Sequence, residues 1–223
     1  MSERRIHVEV TADRQFGTNS YLVEDEDSRD AVVIDANLEP ELMVDLVRSR
    51  GVTVRAILLT HTDIDHIAGL VRLRQELGDV PIAVHGSERD VITEGQPLRR
   101  EFARPLPTFD NVGLLVPGEV YRAGTLEFDV LHTPGHSPGG VTLSIGNALF
   151  TGDALFAGSI GRSDFANSDG QTLLDGIRER LMTQSDDRLV FSGHGPVSTI
   201  GQERRYNPFL QPGQAQTPSL RSA

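Results

Sequence analysis

Short runs of branched and aromatic residues, separated by turn residues, recur along the whole chain. They fall at Ile6–Val10, Ser20–Glu24, Ala31–Asp35, Arg55–Thr60, Ile82–His85, Glu119–Arg122, Leu126–His132, Val141–Ile145, Ala148–Thr151 and Arg188–Ser192. Runs of this length and composition predict β-strands. Helical spacing interrupts them at Glu39–Arg50, where Leu42, Val44, Leu46 and Val47 can share a face and Gly51 supplies a C-cap. It returns at His66–Leu77, closed by Gly78, and at Ser168–Met182, with Leu173, Leu174, Ile177 and Leu181 on one side. A short helix is predicted over Gly201–Tyr206.

The order is strands, helix, strand, helix, strand and short helix, then four strands, a helix, a strand and a short helix. Two halves that each pair strands with covering helices predict a layered α/β (α+β) sandwich. No residue-level repeat underlies that symmetry. The stretch Thr93–Val116 reads as a loop, with three prolines and Arg99, Arg100 and Arg104, and is a candidate lining for a substrate channel. The expected domain is 1–210; the polar, proline-containing tail 211–223 shows no periodicity and is expected to be disordered.

A chain of 223 residues with 38% hydrophobic content suffices for one sizeable core. It holds no cysteine, which excludes disulfides, thiolate metal sites and a cysteine nucleophile together. The formal net charge of −11 argues against a nucleic-acid partner, which usually meets a basic face. All 21 basic residues are arginine, so a Schiff-base lysine and a phosphate-loop lysine are excluded. No apolar run approaches the ~18 residues that span a membrane, and the first residues carry no signal-peptide core. The expectation is a cytoplasmic protein acting on a small-molecule substrate, with no membrane partner.

The candidate chemistry lies at the strand ends. The densest cluster is His61-Thr-Asp63-Ile-Asp65-His66, directly after Ala56–Thr60. Downstream come His136 in Pro-Gly-His-Ser-Pro-Gly-Gly, Asp153 in Phe-Thr-Gly-Asp, and His194 in Phe-Ser-Gly-His-Gly-Pro. Taken singly, each is an ordinary turn residue, and Asp65 would cap the helix that follows. Together they form a set of imidazoles and carboxylates suited to zinc, iron or manganese. Ala68-Gly69 leaves room for close packing beside them. The remaining histidines read differently: His7 as solvated, His85 as a cap or a neighbour of a ligand, and His132 as an ordinary strand-end residue with ligand orientation as the lesser alternative. A serine-hydrolase elbow, a zinc-protease helix motif and a phosphate loop are all missing.

These residues, in this order, resemble the metallo-β-lactamase fold superfamily over about residues 6–210, and most closely its small, glyoxalase II-like (hydroxyacylglutathione hydrolase-like) branch. The stretches from Gly158 to Asp164 and from Gly193 to Leu210 look typical of that branch. The resemblance implies a four-layer αββα sandwich with two divalent metal ions at one edge between the sheets. It implies that His61, Asp63, His136 and Asp153 hold one ion. Asp65, His66, His194 and the bridging Asp153 would hold the other. The departure is Asp63, where the family motif His-x-His-x-Asp-His has histidine. An added carboxylate there should weaken the Lewis acidity of its ion and shift preference from zinc toward iron or manganese.

The leading expectation is a dinuclear hydrolase that cleaves a thioester or ester of the S-acylglutathione kind with a metal-bridging hydroxide, Asp65 orienting it. The arginines at 99, 100 and 104 could meet substrate carboxylates, although a solvated loop is the simpler reading of them. A second reading is a mononuclear iron oxygenase resembling persulfide dioxygenases, which would use His61, His136 and Asp153 and leave residue 63 free to vary. A third is a degenerate member that binds without turnover.

Overall fold

The computed structural model describes residues 5–99 and 106–211. In chain order, β1 (Ile6–Ala12), β2 (Asn19–Asp25), β3 (Asp30–Ile34), β4 (Thr53–Leu58), β5 (Ile82–His85) and β6 (Val112–Leu115) form one six-stranded sheet, neighbours in that same order. The pairs β1–β2 and β2–β3 are antiparallel, whereas β3 to β6 run parallel. Parallel neighbours require crossovers. These are supplied by α1 (Pro40–Arg50), by α2 (Ile64–Ile67) with α3 (Leu70–Leu77), and by α4 (Arg89–Thr93).

The second sheet contains β7 (Val120–Ala123), β8 (Leu126–His132), β9 (Val141–Ile145) and β10 (Ala148–Gly152). A two-stranded ribbon follows, β11 (Leu155–Phe156) with β12 (Ser159–Ile160), and then α5 (Gly170–Gly176), which continues into a wider turn over Ile177–Leu181. Then β13 (Leu189–Ser192), β14 (Ser198–Thr199) and α6 (Ile200–Tyr206) complete the fold. The second sheet has the order β14-β13-β10-β9-β8-β7, with its one parallel pair at β10–β13.

Strand side chains alternate between faces, and both faces of each sheet are covered. That is why the central strands β3 and β10, buried at every position, read as nearly continuous apolar runs. Tyr21, Val23, Val32, Ile34 and Leu58 from the first sheet meet Phe128, Val130, Leu143 and Phe150 from the second, forming the central core. Their neighbours Leu22, Val33 and Ile57 point outward under Met43, Val47, Leu70 and Leu73 of the first helical layer. On the other side, Leu149, Leu155 and Val190 pack under Leu173, Ile177, Leu181 and Ile200. The four layers are helix, sheet, sheet, helix, as the resemblance implied.

Several expectations shift in detail. The periodic stretch His66–Leu77 is two helices, broken at Ala68-Gly69. A Cβ on Gly69 would lie 2.5 Å from Asn37 O, so close packing fixes that residue. Thr93–Val116 is not loop throughout, since Val112–Leu115 pairs with β5 as the edge of the first sheet. Four residues containing a glycine are too few for periodicity to mark. Gly51 caps α1 as expected, at φ 63° with its amide donating to Val47 O and Arg48 O. Residues 100–105 and 212–223, which include Arg100, Arg104 and all but the first residue of the tail 211–223, lie outside the described residues.

The arrangement brings strand ends to one edge. β3 and β4 are parallel neighbours, as are β10 and β13, so their carboxyl ends emerge together. Crevices at the carboxyl ends of parallel strands are the places where α/β sheets build ligand sites.

Candidate metal centre

Each of those strands delivers a side chain to that edge. The turn after β4 carries His61 and Asp63 and leads into α2 with Asp65 and His66. The β8–β9 loop carries His136, the end of β10 presents Asp153, and the end of β13 presents His194. All seven residues converge. Donor atoms of three sets lie within 4.8 Å of one another: His61, Asp63 and His136; His61, His66 and Asp153; Asp65, His66 and His194.

Asp153 is the hub. Its Oδ1 is 3.4 Å from His66 Nε2, and its Oδ2 is 3.4 Å from His194 Nε2 and 3.7 Å from His136 Nε2. Asp65 Oδ2 stands 3.6 Å from His66 Nε2 and 3.4 Å from His194 Nε2, and accepts a hydrogen bond from Thr18 Oγ1 at 2.7 Å. Space here is tight. An added Cβ on Gly193 would overlap Asp153 Oδ1 and His66 Cε1, so glycine is the residue that lets β13 pass so close.

The orientation of the two histidines at the turn is set from behind. Asp35, buried at the end of β3, accepts from His66 Nδ1 at 2.8 Å, from Thr60 N at 2.8 Å and from Thr60 Oγ1 at 2.7 Å. With its proton given to Asp35, the Thr60 hydroxyl accepts from His61 Nδ1 at 3.2 Å. Both rings therefore turn Nε2, rather than Nδ1, toward the edge. His61 Nε2, His66 Nε2 and Asp153 Oδ1 are buried and have no hydrogen-bond partner among the described residues. Buried polar atoms are nearly always paired. Two bare imidazole nitrogens facing a bare carboxylate oxygen match the donor set of a divalent cation, so the residues fit a metal ion.

The electrostatics agree with that fit. Burial opposes charge on Asp153, yet His66, His194 and His61 outweigh it and hold the carboxyl well below its usual range. Burial likewise opposes Asp65, but His194, His66 and Thr18 pull its pKa down to about 2. His66 is penalised by burial and still rises well above its ordinary value through Asp35 and Asp153. His194 behaves alike: hydrogen bonds to Asp153 and Asp65 overcome burial and raise it to about 10. The cluster is an anionic nest that draws positive charge.

Asp63 sits differently. Its carboxylate is clamped by Arg99, with Nε donating to Oδ1 at 2.6 Å and Nη2 to Oδ2 at 2.7 Å. Arg99 is only 4% exposed, which corrects the reading of it as part of a solvated loop. A Pro-rich stretch without periodicity gave no sign that one of its arginines turns inward. Asp35 was legible as the end of a strand but not as a partner of His66. Thr18 carried no signal, nor did Glu88, which joins the two loops by accepting from Thr62 N, Thr62 Oγ1 and Gly139 N. His132 does not reach the cluster. It stacks on His85 with centroids 4.6 Å apart, and His85 Nδ1 caps its own turn by accepting from Ser87 N.

The family model of the metallo-β-lactamase superfamily matches residues 13–194. The chain belongs to that superfamily. Among its curated relatives is the hydroxyacylglutathione hydrolase GloC of Haemophilus influenzae, 34% identical over 217 residues, which span 92% of this chain and 98% of the relative. Among solved structures, the B3 metallo-β-lactamase BLEG-1 superposes with a TM-score of 0.83 at 34% identity, over 92% of this chain and 99% of that one. TTHA1623 in a di-iron-bound form superposes with a TM-score of 0.78 at 35% identity, over 91% and 100% respectively. The two-sheet architecture and the membership agree. Among the described residues, no helix is long and apolar enough to cross a membrane.

Proposed function

We propose that this protein is a metal-dependent hydrolase of thioesters, with an S-acylglutathione-like compound as its substrate class. The observation that carries the reading is the set of unpartnered, buried donors His61 Nε2, His66 Nε2 and Asp153 Oδ1, flanked by Asp65 and His194. No cysteine or lysine exists in the chain to serve as a covalent nucleophile, so attack by water is the simpler chemistry. The likeness to a hydroxyacylglutathione hydrolase supports the choice of thioester.

A divalent ion bound by these residues would polarise the substrate carbonyl and acidify an attacking water. His61, His66, Asp153 and His194 would hold it, with Asp35 keeping two of the imidazoles in the tautomer that ligation needs. Asp65 is the catalytic residue. Anionic at neutral pH and fixed by Thr18 Oγ1, it orients the attacking water and holds the proton that water loses. That proton is then available to the departing thiolate. His61, His66 and His136 are buried, which strengthens the interactions they make.

The test is thiol release from a panel of S-acylglutathiones, run beside oxyesters, a β-lactam, and glutathione persulfide in an oxygen electrode. Thioester turnover well above that of the other substrates supports the reading. Oxygen consumption with the persulfide, or hydrolysis confined to the β-lactam, would refute it.

A further inference from the structure

The family resemblance implies two ions, the first of them at the corner made by His61, Asp63 and His136. In this chain that corner already contains a cation. Arg99 Nη2 lies 2.7 Å from Asp63 Oδ2 and 3.3 Å from His136 Nε2, and donates also to His136 O at 3.1 Å. His136 Nδ1 gives its proton to Arg162 O at 2.8 Å, which leaves Nε2 to accept. Nε2 and Asp63 Oδ2 lie only 2.9 Å apart, close enough that a proton or a cation must stand beside them. The guanidinium supplies the cation.

Arg99 is held in place by more than this acid. Its Nη1 donates to Asn167 Oδ1 at 2.6 Å and to Ser168 Oγ at 3.2 Å, and its guanidinium lies 4.1 Å over the Phe165 ring. Asn167 is itself anchored to Leu98 O at 3.1 Å, and Ser168 Oγ donates to His136 O at 2.6 Å. The loop between β12 and α5 thus forms a cradle for one buried arginine. The bidentate fork is a geometry that suits guanidinium and carboxylate and that a point charge does not reproduce. In contrast, His61 Nε2, His66 Nε2 and Asp153 Oδ1 have no hydrogen-bond partner among the described residues. The donors therefore divide into a set satisfied by Arg99 and a set that is not.

We propose that this chain is built to hold one divalent ion, on His61, His66, Asp153 and His194 with Asp65 beside it, and that Arg99 paired with Asp63 takes the place of the second. The inference rests on the metal-dependent reading above and sharpens it. One divalent ion and one guanidinium balance the carboxylates of Asp63, Asp65 and Asp153, so the substitution at residue 63 and the inward arginine compensate each other. Arg99 contributes a fixed positive charge beside the reacting carbonyl, where a second Lewis acid would otherwise stand. It also explains how an acid can replace histidine there without loading the centre with uncompensated negative charge. The same guanidinium stands against an iron held by His61, His136 and Asp153, because it already occupies His136 Nε2.

The experiment is equilibrium dialysis of metal-stripped protein against Zn²⁺ and, separately, Mn²⁺, with ions counted per chain by elemental analysis. Wild type is expected to take one ion, His136→Ala to keep it, and His66→Ala to lose it. The pair Arg99→Met with Asp63→His is expected to raise the count to two. Should that double variant fail to fold, the electron paramagnetic resonance of Mn²⁺-loaded wild type decides: an isolated ion supports the proposal and an exchange-coupled pair overturns it. Two ions in wild type would overturn it while leaving the metal-dependent hydrolase intact. A single ion lost in His136→Ala would overturn it in favour of the other corner. No ion at all would overturn both.

Discussion

Replacing Asp35 by asparagine removes a charge and almost no volume at a position where asparagine fits the backbone. Asp35 has φ 59°, a left-handed conformation that asparagine tolerates well. With its oxygen toward Thr60 N, the asparagine amide turns its NH₂ to both His66 Nδ1 and the Thr60 hydroxyl; with its oxygen toward those two, the NH₂ faces Thr60 N. Whichever way the amide turns, at least one partner loses its acceptor. If the NH₂ faces His66, the ring shifts its proton to Nε2, the atom that faces Asp153 and the bound ion. The perturbation thus reaches the metal through a tautomer, without touching a ligand. Loss of such an orienting carboxylate typically costs 10- to 100-fold in metal affinity, or about 1.4–2.7 kcal/mol. The metal-free fold should lose about 1.5–3 kcal/mol as well, because charge-assisted hydrogen bonds to buried Thr60 and His66 are weakened. Competition against a chromophoric chelator gives the Zn²⁺ affinity, and thermal unfolding in chelator gives the stability. Unchanged Zn²⁺ affinity in a folded variant would refute the reasoning that Asp35 sets the imidazole orientation.

Other perturbations separate the site from its scaffold. Gly193→Ala forces a methyl group against Asp153 and His66, so metal uptake and turnover should collapse while the circular dichroism of the sheets persists. Asp65→Asn should retain most bound metal and lose turnover by about 10²–10⁴-fold in kcat, the range for a lost general base; near wild-type kcat would remove Asp65 from its role. Phe150→Ala should cost about 3–5 kcal/mol, since it deletes a fully buried ring stacked on Phe191 and edge-on to Tyr21, and denaturant unfolding would register it. The pH dependence of the metal-free protein has two sides. His194 titrates near 10 when folded against an ordinary 6.5, so its contribution to stability is whole below pH 6.5 and is lost as pH rises toward 10. Asp65 titrates near 2 against 3.8, so its contribution is present above pH 3.8 and lost as pH falls toward 2. A Tm profile in chelator that stays flat from pH 6.5 to 10 would contradict the first of these.

How much of this was legible in the chain follows from where each feature gets its information. Val141–Ile145 matches its run because it is buried at every position, and Leu126–His132 because buried Leu126, Phe128 and Val130 alternate with exposed Glu127 and Asp129. The edge strand Val112–Leu115 did not announce itself, since what makes it a strand is the exposed backbone edge of β5. The seven residues that converge were legible as a set because they fall in the segments just after strands or in glycine- and proline-rich turns, and parallel neighbours send their ends to one edge. What stayed hidden depends on distant pairing. Arg99 reaches Asp63 across 36 residues, and Asp35 reaches His66 across 31, with no local pattern to tie either pair. An aspartate in place of a histidine reads as an anomaly in the sequence; only the fold shows the arginine that neutralises it.

The most direct test of metal-dependent thioester hydrolysis at this cluster is a single titration. Metal-stripped protein is given increasing Zn²⁺, and S-acylglutathione hydrolysis is followed against the amount of ion bound. Turnover should be absent without metal and should rise in step with occupancy of the cluster, with His66→Ala remaining inactive throughout. Hydrolysis that persists in the stripped protein, or a fully loaded protein that cleaves no thioester, would contradict it.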